Sequence, residues 1–466
     1  MTPPATTGHF IDDAAIGQIL QRERRPDAAR IDDILQRARA LNGLDPADVA
    51  ALSTISDPEL LAGLFDAARW VKNRIYGHRL VLFAPLYISN LCGNECLYCA
   101  FRAKNKEVHR RALTQDEIAA ETKLIVEQGH KRVLLVAGES YPQRGFDYIL
   151  DAVATVYGVK SGNGEVRRVN VNVAPLTRDE FVRLKNTGIG TYQIFQETYH
   201  RETYRRYHVG GKKMDYDWRV TAVDRAMDAG VGDCGIGVLF GLADWRFDLL
   251  ALLHHIRHLE SAHGVGPHTV SVPRLEPATG SDLASHPPCA VDDLDFRKIV
   301  AILRLAVPYT GIIMSTRETA EMRNETFALG VSQISAGSRT NPGGYAENEK
   351  FDTAQFALGD HRSLDEVIRD VASMGYVPSF CTGCYRLGRV GKDFMDMARP
   401  GEIRHHCDPN GLSTFLEYLT DYATPETRRI GEALVEKELA SLDGEGRRRA
   451  ELLLGRVRQG ERDVYC

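Results

Sequence analysis

The sequence predicts an α/β fold: a (β/α)8 barrel of TIM type with an N-terminal helical extension and a small, mostly helical C-terminal domain. Three observations point there. Eight short apolar, β-branched runs recur between residues 80 and 335, and helical patterns separate most of them. Three of those helical stretches open on a capping-box pair: Thr114/Glu117, Thr177/Glu180 and Ser363/Glu366. The apolar runs are continuous rather than alternating, as in parallel strands buried on both faces. Eight such units suit a closed barrel. An open doubly wound sheet is the competing architecture, because periodicity does not decide closure.

Residues 1–77 read as short helices, among them Ile31–Ala40 and Asp57–Val71, where Asp57-Pro58 is a helix start. The expected strands are Leu80–Ile88, Arg132–Ala137, Val169–Ala174, Tyr192–Phe195, Gly235–Phe240, Thr269–Leu275, Gly311–Ser315 and Val331–Ser335. Ser338–Arg362, with Asn341-Pro-Gly-Gly344, is a long segment without elements, a kind that is usually functional or mobile. A helix over about Ser363–Met374 completes the eighth unit. Beyond Tyr376 the alternation stops, and the tail carries three cysteines and helices at Pro425–Leu442 and Gly444–Val457. The expected domains are therefore 1–77, 78–375 and 376–466.

Net charge is −5, with 43% hydrophobic and 26% charged residues, an ordinary globular balance that gives no reason to expect nucleic acid. No apolar stretch approaches a membrane span and the first residues lack a signal-peptide pattern, so a cytoplasmic protein is expected. Of nine cysteines, six form two tight triads, while Cys234, Cys289 and Cys466 receive no role. An odd count without a secretion signal argues against a disulfide framework.

Cys92-Gly-Asn-Glu-Cys96-Leu-Tyr98-Cys99 directly follows the first strand. Three thiolates can hold three irons of a cubane and leave the fourth open. The amino and carboxylate groups of S-adenosylmethionine (SAM) can chelate that iron, and an electron can then release a 5′-deoxyadenosyl radical. A zinc site would pair CxxC with a second Cys/His pair, and none is near. This spacing resembles the radical SAM superfamily. The resemblance implies that Tyr98 and Gly138-Glu139, after strand two, contact SAM, with Ala137 standing where the family's first glycine would be. It implies the same for Asn172, Glu197 and Arg219, at or after the ends of strands three and four.

Cys381-Thr-Gly-Cys384 is followed by 22 residues and Cys407. By spacing alone this is a second cluster site, a zinc site using His405 or His406, or a structural clip. Beside the first triad it resembles the HydG family. So do Leu82-FAPLYISN-Leu91, Gly190-TYQIFQETYHRETY-Arg205, Gly264-VGPHTVSVPRLEPA-Thr279, Ile334-SAGSRTNPGGY-Ala346 and Ser379-FCTGCYRLGR-Val390. That family implies cleavage of the Cα–Cβ bond of L-tyrosine to p-cresol and dehydroglycine. The latter is converted to CO and cyanide at a C-terminal [4Fe–4S] cluster that carries a labile iron held by free L-cysteine and a histidine. The product serves [FeFe]-hydrogenase assembly, so hydrogenase maturation proteins (a scaffold and a second radical SAM maturase) and an electron donor are the expected partners. Arg317 is expected to anchor the tyrosine carboxylate, because a guanidinium pairs bidentately with it. Tyr87 and Ser335 are the further tyrosine-binding candidates.

Barrel geometry adds one expectation. The first triad follows a strand, so it lies at the C-terminal face, whereas the second follows a helix and lies at the opposite face. His268, just before strand six, shares that opposite face and, in line with the resemblance, is the expected ligand of the labile iron, with His405 and His406, beside Cys407, as the local alternatives. The clusters should be roughly 20–26 Å apart, with a passage between them. The alternatives are a ThiH-like tyrosine lyase that releases dehydroglycine unchanged, and a non-catalytic iron–sulfur or zinc scaffold.

Overall fold

The computed structural model describes residues 10–142, 144–347, 353–399 and 401–466. Four helices come first: Asp13–Arg22, Ala28–Ala38, Pro46–Ser53 and Pro58–Tyr76. Each is preceded by an aspartate, Asp12, Asp27, Asp45 or Asp57, whose carboxylate accepts a first-turn N–H. The last of them runs five residues past the expected Val71. Its buried stripe, from Leu61 through Ala67 to Ile75, packs on two outer helices of the barrel, Asp293–Ala306 and Ala320–Leu329.

Eight parallel strands form the barrel: β1 (Arg79–Ser89), β2 (Arg132–Ala137), β3 (Arg168–Asn172), β4 (Tyr192–Gln193), β5 (Cys234–Gly237), β6 (Thr269–Ser271), β7 (Gly311–Met314) and β8 (Gln333–Ser335). Each pairs with the next, and β8 pairs with β1 through Val81↔Gln333, which closes the sheet. The open-sheet alternative is thereby removed. All three capping boxes form as expected.

Two expectations are corrected. Strands four, five and six are shorter than their apolar runs, because the ladder breaks where the chain turns to present side chains at the barrel mouth. Only isolated bridges, Glu197↔Val238 and Phe240↔Arg274, continue it. Parallel pairing also does not stop at Tyr376. A ninth strand, β9 (Val377–Ser379), pairs with Arg79–Val81 on the edge of β1 that β2 occupies higher up. It was missed because three residues containing Pro378 carry no periodic signal.

β9 delivers the chain to Cys381, and helix Arg404–Asp421 brings Cys407 back beside it. This helix packs on β9 and on helices Pro425–Ser441 and Gly444–Arg458. Its buried Glu417 accepts two bonds from Arg167 at 3.1 and 2.6 Å and lies 3.5 Å from Lys131, which latches the C-terminal segment to the barrel floor. Among the described residues no helix is long and apolar enough to cross a membrane.

Candidate active site: two cysteine-lined cavities in one barrel

The upper cavity opens at the C-terminal ends of the strands. Cys92, Cys96 and Cys99 line it together with Tyr98, Gly138, Glu139, Asn172, Glu197, Arg219, Tyr87, Arg317 and Ser335. Every residue expected in the SAM and tyrosine sites is therefore in one cavity. The cysteine loop is held by backbone bonds to the segment after β4, from Glu95 N to Gly210 O (2.8 Å) and from Leu97 N to Tyr207 O (3.0 Å). Tyr98 bonds His208 through its hydroxyl at 2.8 Å. Gly138 must lack a side chain, since a Cβ there would lie 2.3 Å from the Leu91 carbonyl oxygen.

Burial pushes all three thiols up, Cys99 to about 11, so bare thiolates are disfavoured and a cationic group must compensate them. Three soft sulfur donors facing one cavity suit an iron–sulfur cluster with an open iron. Next to them lies a charged network. Arg219 donates to Glu139 (2.8 Å), Asn94 to the other Glu139 oxygen (2.7 Å), and Lys213 to Glu197 (2.6 Å). Burial alone would raise the Glu139 carboxyl, but Arg219 and Lys213 outweigh it and hold it below the usual range. Glu197 sits at φ +72°, a left-handed backbone rare outside glycine and common at functional sites. Asn172 donates to the Gln193 carbonyl at 3.0 Å.

On the substrate side, Arg317 lies over the Phe356 ring at 3.2 Å. Among the described residues no carboxylate or other acceptor pairs with its guanidinium, which faces the cavity. Tyr87 donates to Gln355 (2.8 Å), whose amide N–H in turn points at the Cys99 sulfur (3.8 Å). The Ser335 hydroxyl accepts from Thr316 N at 3.1 Å. Thus the long segment after β8 places consecutive residues, Gln355 and Phe356, against Tyr87 and Arg317, two of the three tyrosine-side candidates. Part of that segment, 348–352, lies outside the described residues.

The lower cavity lies at the N-terminal ends of the strands. Cys381, Cys384, Cys407 and His268 all line it, as the barrel argument requires, whereas His405 and His406 are not among its lining residues. His268 rests against Phe394 with ring centroids 4.6 Å apart, and its Nδ1 is 3.7 Å from Asp233. Burial disfavours the protonated imidazole, leaving the form that can bind a metal. The three thiols suit a second cluster. Among the described residues no three His, Cys, Asp or Glu side chains close on a single-ion site.

Sequence reasoning missed Asn94, Lys213, Gln355 and Phe356, none of which carries a local signature. It also missed a readable one. β1, β2 and β3 each begin with arginine before an apolar run, and Arg79, Arg132 and Arg168 all line the lower cavity.

Residues 86–250 match the Radical SAM superfamily, and residues 271–377 match the Biotin and Thiamin Synthesis associated domain. The chain is 33% identical to the 2-iminoacetate synthase of Escherichia coli K12 over 76% of its own length and 92% of that protein. The corresponding enzyme of Salmonella typhimurium LT2 is 31% identical over the same shares. Among solved structures, a HydG maturase of the [FeFe]-hydrogenase superposes with TM-score 0.95 at 45% identity, covering 98% of this chain and 100% of the other. The HydG of Carboxydothermus hydrogenoformans gives 0.82 at 41%, covering 95% and 97%. With its three thiols at the mouth of a closed parallel barrel and 95–98% of its length matched by those structures, the chain belongs to the HydG family of radical SAM enzymes.

Proposed function

We propose that this enzyme cleaves the Cα–Cβ bond of L-tyrosine in the upper cavity and converts the two-carbon remainder to CO and cyanide in the lower one. The observation that carries the reading is one barrel with a cysteine triad at each end and, beside the upper triad, a guanidinium, Arg317, that has no acceptor among the described residues. When bound, the upper cluster and SAM supply the 5′-deoxyadenosyl radical. Glu139 would accept from the SAM amino group, Glu197 and Asn172 would offer acceptors to its ribose, and Arg219 would meet its carboxylate. Arg317 takes the tyrosine carboxylate in a planar fork. Phe356, Phe101 and Leu275 line the cavity with apolar surface and limit water.

The remainder is small enough to descend. Between the two cavities the Gln193, Thr269 and Gln333 side chains pack against Gly235 and Gly311, so the remainder would pass where those side chains move aside. Below, Cys381, Cys384 and Cys407 would hold the second cluster, and His268 with free L-cysteine the labile iron. CO and cyanide formed there fit delivery to [FeFe]-hydrogenase assembly, with maturation proteins and an electron donor as cytoplasmic partners.

The second reading is a lyase that stops at dehydroglycine, supported by the likeness to 2-iminoacetate synthases. One experiment tests both. Replacing Cys381, Cys384 and Cys407 together with alanine should leave p-cresol formation measurable and sharply lower CO. Unchanged CO in the triple variant, or no CO from the fully loaded wild type, would refute the two-site reading. Cys92→Ala should abolish 5′-deoxyadenosine release.

A further inference from the structure

We propose that Gln355 is a positioning residue that ties occupancy of the substrate site to the reduction of the upper cluster. The inference rests on the reading above, in which Tyr87 meets the tyrosine.

Gln355 stands in the long segment after β8 and lines the upper cavity. Its backbone N–H donates to the Thr340 carbonyl at 2.9 Å, and its neighbour Phe356 lies under Arg317, so the side chain starts from a fixed point. From there the amide meets two partners. The Tyr87 hydroxyl lies 2.8 Å from Oε1, and Nε2 lies 3.8 Å from the Cys99 sulfur. Among the described residues no other side chain bonds a sulfur of this triad.

Chemistry fixes which way the amide points. A cysteine that ligates iron is a thiolate, an acceptor without a proton, so the N–H must face it. The amide oxygen then faces Tyr87. Burial pushes the Tyr87 phenol up, so its hydroxyl keeps its proton and is the donor. Tyr87 is itself held in place, buried on β1 with its ring edge-on to Phe101, two residues past Cys99.

The consequence is electrostatic. Reduction adds negative charge to a cluster, and an N–H aimed at one of its sulfurs favours the more negative state. Hydrogen bonds to sulfur are among the factors that set cluster potentials. Tyr87 anchors the amide that carries this N–H. A substrate carboxylate that takes the Tyr87 hydroxyl removes the anchor and lets the amide turn, so occupancy of the site is felt at Cys99. The rival explanation is that Gln355 only fills space beside Phe356, and it predicts no change in potential.

The test is an anaerobic redox titration of protein loaded with both clusters, with titanium(III) citrate as reductant and SAM absent, read by EPR. The upper cluster's signal is the one that changes when SAM is added to a parallel sample. Gln355→Met keeps the length and loses the donor. It should make this cluster harder to reduce by about tenfold in equilibrium constant, about 59 mV for one electron. Tyr87→Phe should act in the same direction by less, because the N–H stays and its anchor goes. Saturating L-tyrosine should move the wild-type potential toward that of Gln355→Met and leave the variant unmoved. Gln355→Leu carries the test if Gln355→Met does not load. A potential within about twofold of wild type in a loaded Gln355 variant would overturn the proposal. So would a tyrosine shift that survives in the variant, runs the opposite way, or is absent from wild type that binds tyrosine in equilibrium dialysis. Failure of wild type to bind tyrosine at all would sink the lyase reading instead, and the potential of the Gln355 variant would still decide whether the amide acts on the cluster.

Discussion

Replacing Arg317 with lysine tests how tyrosine is held. In the upper cavity this guanidinium has the Phe356 ring 3.2 Å beneath it and, among the described residues, no acceptor, so its N–H fork is available to a substrate carboxylate. Lysine keeps the charge but offers a point donor, so one of two charge-assisted bonds is lost. Such a bond is worth about 1.5–3 kcal/mol. That converts to a loss of roughly 10- to 150-fold in affinity. The stacking on Phe356 is present in the free enzyme and does not enter this difference. Its weakening should lower fold stability by no more than about 0.5–1 kcal/mol. The assay is p-cresol release against tyrosine concentration, with equilibrium dialysis of tyrosine in parallel. KM should rise and kcat change less, the pattern of an interaction made equally in ground and transition states. A tyrosine affinity within about threefold of wild type would refute the assignment, since that is below the weakest charged bond expected.

Two further outcomes concern the scaffold. Asp248 accepts from Tyr199 N (2.7 Å) and the Thr198 hydroxyl (3.0 Å), beside the Glu197 turn, yet burial pushes its carboxyl from 3.8 up to about 7. The folded state holds that proton more tightly than the unfolded chain. Its contribution is therefore complete below about pH 4 and is lost as pH rises through about 7. Asp248→Asn should flatten the fall in stability between those values in anaerobic urea unfolding, and parallel curves would contradict this. Glu417→Gln leaves Arg167 with Asp463 alone, at 3.2 Å, and takes from Lys131 its carboxylate at 3.5 Å, and should cost about 3 kcal/mol in the same assay. A loss under about 1 kcal/mol would show that the latch is not what holds the C-terminal segment.

Local signals carried much of the architecture. The β-branched runs and the Thr114, Thr177 and Ser363 caps depend on neighbours one to four residues away, so a linear reading finds them. The cysteine spacings are equally local, and strand-then-helix alternation by itself put Cys92 and Cys381 at opposite faces and His268 with the latter. What the tertiary structure decided depends on partners distant in sequence. Closure needed Val81 to meet Gln333, and β9 exists because the lower edge of β1 was vacant. Gln355 reaches Tyr87 and Cys99 across more than 250 residues of chain, and Lys213 reaches Glu197 from a turn without periodicity. The arginines at the starts of β1, β2 and β3 were visible as letters. Only folding shows that Asp233 pairs with Arg168 while, among the described residues, Arg79 and Arg132 have no carboxylate of their own, because charge balance in a buried cavity is set by which side chains converge and not by their order in the chain.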